Sequence, residues 1–112
     1  MKTFLKDATT LSVFDFQKGE SKSLGRMLTG IVIKDKTFRF VEGQRIITSL
    51  IQSQTNNEFI TKSENCYVTD DEPRKFDISF VELVVMRHKL CSPDEILEMR
   101  QALKLADDRI IH

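Results

Sequence analysis

Between Met27 and Met86 the chain alternates apolar runs of strand length with short polar turns, and beyond Ser92 the apolar spacing changes to steps of three and four. A period of two followed by a period near 3.6 predicts sheet first and helix last, an α+β arrangement. A chain of 112 residues can close one core and is too short for two. Residues 1–112 are therefore expected to form a single domain: a poorly defined N-terminal segment over 1–25, a sheet over 27–87 and a helix over 92–109. The sheet is read as an antiparallel meander of roughly five or six strands, able to roll toward a small barrel, with one C-terminal helix packed on it.

Within the sheet, Met27–Ile33 and Thr37–Val41 read as a hairpin around Lys34-Asp35-Lys36, because Phe38 and Phe40 alternate with Arg39. Gly43 supplies the next turn and Arg45–Ser53 the next strand. Asn56-Asn57 fits a two-residue hairpin loop, since asparagine tolerates the left-handed conformation such loops demand. Counting outward from Thr55 facing Glu58 sets Ile46 opposite Tyr67, on the face that carries Leu50 and Phe59. Ile47, Ile51, Ile60 and Cys66 fall on the other. Both faces are partly apolar, so each should be covered. Phe76–Met86 (FDISFVELVVM) reads as the central strand, although Phe76, Phe80, Leu83 and Val84 also fit a helical face. Before Met27 only Leu11, Val13, Phe14 and Phe16 suggest a short strand, followed by the polar run from Gln17 to Ser23.

The C-terminal helix is the most firmly marked element. Ser92 is the expected N-cap, Pro93 takes the first helical position, and Glu95 completes a capping box. Cys91 can staple onto Ile96. Ile96, Met99, Leu103, Ala106 and Ile110 form a narrow apolar seam, the width of a helix lying on its own sheet or of a short coiled-coil contact.

Charge and chemistry exclude more than they assign. The formal net charge is zero, but residues 1–50 hold nine Lys or Arg against five acids, and residues 51–112 hold eight against twelve. Lys34, Lys36, Arg39 and Arg45 gather around two turns and alternate with Phe38 and Phe40, the interleaving by which single strands are gripped. They are the candidate polyanion contact, set against a pI of 6.7 that is low for a nucleic-acid binder. No GxSxG, HExxH, GxGxxG or Walker A pattern occurs. Cys66 and Cys91 are far apart and outside any CxxC motif, His88 with Cys91 supplies two zinc ligands where four are needed, and the acidic turn Asp70-Asp71-Glu72 lacks the spacing of a calcium loop. No catalytic, cofactor-binding or metal-ligating set is expected. Met1–Phe16 lacks a secretory pattern and no segment is apolar enough to span a bilayer, so a cytoplasmic protein with reduced thiols and no membrane partner is expected.

The pattern Phe40-x-x-Gly43-x-x-Ile46-x-Thr48-Ser49-x-Ile51, with Phe59-x-Thr61 and Tyr67, resembles that of short uncharacterised bacterial proteins, some carried on integron-type mobile gene cassettes. The resemblance spans residues 38–68 and implies a small accessory protein, with no site residues to carry over.

These features leave the function open and favour a non-enzymatic interaction module. A single helix covers one sheet face, and a homodimer would cover the other, with Ile47, Ile51, Ile60, Ile96, Met99 and Leu103 as the candidate interface. The alternatives are a nucleic-acid-binding accessory protein and a small enzyme assembled across strands from Asp77, Glu82, Arg87 and His88.

Overall fold

The computed structural model describes residues 1–17 and 19–110, including side chains except those of Gln17 and residues 105–110. The broad α+β class holds. Six strands, β1 (Lys2–Gln17), β2 (Glu20–Asp35), β3 (Arg45–Thr55), β4 (Glu58–Thr61), β5 (Cys66–Thr69) and β6 (Arg74–Ser79), precede two helices, α1 (Phe80–Lys89) and α2 (Pro93–Ile110).

The sheet is mixed rather than an antiparallel meander. Its order is β2-β3-β4-β5-β1-β6, and β2 also pairs with β1, so the first five strands close into a ring. β1 is the pivot. One of its edges runs antiparallel to β2 along nearly the whole strand. Its other edge takes β5 in parallel over Lys2–Leu5 and then β6 in parallel over Thr9–Phe14. Residues 1–25, which carried little local pattern, are thus the most extensively paired part of the molecule. Parallel partners are distant in sequence, and no periodicity within a strand announces them.

Three other expectations change. Thr37–Val41 is a bent loop and β2 pairs with β3, because the Asp35 side chain captures the amides a strand would have offered, as described below. Phe59–Tyr67 is two strands split by a turn in which Glu64 has φ 64°. Ile46 therefore pairs with Gly30 and not with Tyr67. Phe76–Met86 divides at Ser79, which caps α1. Its hydroxyl accepts from the Glu82 amide and the Glu82 carboxylate accepts from the Ser79 amide, a capping box that stops the strand and starts the helix.

The hairpin at Asn56-Asn57 forms as expected, with Thr55 opposite Glu58 and Asn56 at φ 55°. So does the α2 start: Ser92 and Glu95 exchange side-chain and backbone hydrogen bonds at 3.1 and 3.2 Å.

Two cores result. Leu5, Ala8, Leu28, Val32, Ile46, Phe59 and Tyr67, drawn from all five ring strands, fill the ring. Leu11, Val13, Ile78, Leu83, Met86, Cys91 and Ile96 join β1 and β6 to the helices, with Ile47 and Met99 packed against them. A bulge between Lys6 and Thr9, with Asp7 at φ 50°, changes the phase of β1. Leu5 and Ala8 consequently serve the first core while Leu11 and Val13 serve the second. Of the second face inferred from the β3–β4 hairpin, Ile47 packs on the second core, Ile51 on the first, past a register shift between Ile51 and Ser53, and Ile60 is exposed. The molecule is long, 55 × 29 × 23 Å with a radius of gyration of 15.5 Å, against about 13 Å for a compact domain of this size.

Among the described residues, no helix is long and apolar enough to cross a membrane.

Candidate functional site

Where β2 ends, the chain turns around one carboxylate. Asp35 Oδ1 accepts from the Thr3 hydroxyl at 2.8 Å and from the Thr37 amide at 2.9 Å, and also from the Thr37 hydroxyl. Asp35 Oδ2 accepts from the Arg39 and Phe40 amides at 2.7 and 2.8 Å. Burial opposes the charge, but the hydroxyls and amides of Thr37, Thr3 and Phe40 outweigh it and hold the carboxyl well below the usual carboxylate range. The far side of the loop is closed by the backbone: Gly43, at φ 86°, donates to the Val32 carbonyl at 2.7 Å, and Val32 donates to the Gln44 carbonyl at 2.8 Å.

This anchoring leaves Phe38 at the loop tip, 90% exposed and at φ 61°, a conformation that bulky residues adopt only where their surroundings impose it. Val41 beside it is 73% exposed. The Arg39 guanidinium carbon sits 4.6 Å from the centre of the Phe40 ring and 5.9 Å from that of Tyr67, and Nε donates to the Thr37 hydroxyl at 2.9 Å. Lys34, Lys36 and Arg39 are all exposed. The loop is a fixed platform with one projecting ring, one guanidinium plane and two flexible ammonium groups.

Arg45 does not belong to this group. It is half-buried, its guanidinium donates to the Thr29 hydroxyl at 3.4 Å, and it lines a 630 Å³ cavity with Asp7, Asp70, Asp71, Glu72, Arg74 and Asp94. Three of the four basic residues singled out in the sequence are exposed on or beside the loop, and the fourth lines a cavity rich in acids. Phe38 stands on a loop and not on the strand expected over Thr37–Val41. As a strand residue it would have turned toward a core, and the available clue was Asp35 followed by Thr37, a pairing typical of a side chain that binds its own backbone.

The residues considered for a partner interface are dispersed. Ile96 is fully buried, Ile47, Ile51 and Met99 are half-buried, and Ile60 and Leu103 are 42% and 65% exposed. The side chains of Ala106 and Ile110 in the helical seam, like His112 and Lys18, lie outside the described residues.

Of the four residues considered for a dispersed catalytic site, Asp77 and Glu82 meet at a 390 Å³ cavity together with Arg100, while Arg87 and His88 occupy the last turn of α1 and do not line it. Arg100 grips both oxygens of Glu82 and donates to the Asp77 carbonyl at 2.9 Å. Its hydrogen bonds hold the Glu82 carboxyl down at about 2. Glu58 is likewise held low, by Lys2 and by the Cys66 thiol, whose Sγ donates to Glu58 Oε1 at 3.2 Å. Burial and the neighbouring carboxylate push the Cys66 thiol up. A carboxyl held low is a poor proton donor near neutrality, and a thiol held high is a poor nucleophile. These groups serve as ties between elements.

Comparison with protein-family models, with curated proteins and with solved structures gives no match to this chain.

Proposed function

We propose that the protein is a non-enzymatic interaction module whose working surface is the loop Lys36–Gln44. The observation that carries this reading is the Asp35 carboxylate fixing three loop amides while Phe38 stands 90% exposed at positive φ. A rigid loop has already lost the entropy that recognition would otherwise cost, and an aromatic ring held in water gains most by being covered. Glu82 with Arg100, and Glu58 with Lys2 and Cys66, are tied to one another, which favours binding over catalysis at those groups.

The test is a backbone-amide NMR titration against a panel of probes: a mixed single-stranded oligonucleotide, vesicles of neutral and of acidic phospholipid, and the protein itself at rising concentration. The amides of Lys36–Gln44 should be the first to shift with at least one probe. Shifts centred on the Glu82–Arg100 cavity, or none in the loop with any probe, would refute the reading.

A second reading, self-association, is supported by the outer face of α1, where Phe80, Val81 and Val84 are 46%, 70% and 50% exposed. A dimer seated there would double the 13.0 kDa mass in light scattering, and Val81→Asp would return it to the monomer. A constant monomer mass at all concentrations rules this reading out.

A further inference from the structure

We infer that the loop takes a single-stranded polynucleotide, with phosphates held by Lys34 and Lys36 and a base stacked on Phe38 beside the Arg39 guanidinium. This inference rests on the preceding reading of the loop and deepens it.

Three features converge on that chemistry. Phe38 offers a flat apolar face to water, and a nucleobase is a flat partner whose stacking on an aromatic ring does not depend on sequence. Only an unpaired strand presents such a face, since in a duplex both faces of each base are already stacked. Lys34 is the penultimate residue of β2 and Lys36 the first residue of the loop, and both are exposed, so two ammonium groups stand beside the ring. The acid between them, Asp35, is turned into the loop and satisfied by Thr3, Thr37, Arg39 and Phe40, so it does not meet an approaching phosphate. Finally, Arg39 is exposed and its guanidinium lies over Phe40 and near Tyr67, which fixes a cation next to Phe38 in the loop. A bilayer is the weaker match. Phe38 and Val41 are the strongly exposed apolar side chains of the loop, and stable seating in lipid takes a larger apolar face.

The experiment is fluorescence anisotropy of a labelled oligothymidylate and a labelled mixed oligonucleotide with the intact protein. Two lysines on single-stranded phosphates give a slope of log affinity against log salt of about −1.4 by the single-strand coefficient of about 0.7 per contact. Phe38→Ala should weaken binding about ten- to hundredfold, Phe38→Trp should preserve it, and Arg45→Gln, outside the loop, should leave it unchanged. Far-ultraviolet circular dichroism of each variant separates loss of binding from loss of fold. No binding at about 50 mM salt, where such contacts are strongest, overturns the inference. So does binding that Phe38→Ala leaves intact. Sedimentation with acidic vesicles that depends on Phe38, without oligonucleotide binding, overturns the polynucleotide and leaves the loop as the contact surface. Silence of the loop amides toward every probe overturns both.

Discussion

Arg100 of α2 clamps the Glu82 carboxylate of α1 with two nitrogens, Nε at 2.5 Å and Nη2 at 2.7 Å. The same guanidinium lies 4.9 Å from the centre of the Phe76 ring on β6, so a single side chain ties the last strand to both helices. The pair is partly exposed, with side chains 40% and 23% accessible, and solvent limits what it contributes. Arg100→Ala is expected to cost about 1 kcal/mol through the ion pair together with the lost ring contact. Thermal denaturation checks it.

The same pair sets an acid limb. Glu82 is held at about 2 against an ordinary 4.5, so its folded state binds a proton less readily than its unfolded state does. Its contribution is fully present above pH 4.5 and is lost as pH falls toward about 2. Glu82→Gln should flatten the stability profile in that window and leave the shape near neutrality unchanged, as urea titrations across the pH range would show.

Asp35 makes its contribution in the same direction: its carboxyl lies below its ordinary 3.8, and the stabilisation it gives is lost as pH falls below that value. Asp35→Asn keeps the size of the side chain but replaces one acceptor oxygen with a donor, which cannot accept from two amides. The variant is expected to lose about 1–3 kcal/mol and to raise hydrogen exchange at Thr37, Arg39 and Phe40 while the ring strands stay protected. Equal exchange in variant and parent would contradict the account of the loop given above.

Threonine hydroxyls in the ring provide a contrast. Thr29 is fully buried and donates to the Ile46 carbonyl at 2.9 Å, whereas the buried Thr61 hydroxyl has no partner among the described residues. Thr61→Val removes a hydroxyl without protein partner and keeps the shape, so it should be neutral or raise the melting temperature. Thr29→Val leaves a carbonyl short of its donor and should cost about 1 kcal/mol. The opposite order of melting temperatures would show that Thr61 is better satisfied than its protein surroundings indicate.

Along α2, Ile96→Ala should cost about 2–5 kcal/mol because it empties a position with no solvent access, while Leu103→Ala, 65% exposed, should stay within about 0.5 kcal/mol. Chemical denaturation of the two variants distinguishes a helix docked by its first turns from one docked along its whole seam.

What was legible in the sequence was local. Ser92-Pro93-x-Glu95 places every participant of a helix start within four residues, and Asn56-Asn57 carries its own left-handed preference, so both formed where read. Ser79-x-x-Glu82 has the same signature and lay inside a run read as one strand, because the apolar content around it masked the cap. Ring closure was not legible. Thr3 beside Tyr67 and Leu11 beside Phe76 are relations between segments more than sixty residues apart, and each segment alone looks like any half-buried strand. The loop differs for the opposite reason: Phe38-Arg39-Phe40 has the alternation of a strand, but a single carboxylate three residues upstream, Asp35, takes the amides of Arg39 and Phe40 from the sheet.

The three-way pairing of β1 also bears on how the protein is made. This strand leaves the ribosome before either of its parallel neighbours exists, and its second edge stays open until Cys66–Thr69 and Arg74–Ser79 have been synthesised. Contacts of such sequence separation slow folding, and an open apolar strand edge is where nascent chains pair with one another. Synthesis rate and chaperone supply should therefore govern soluble yield more strongly than the stability of the finished ring does.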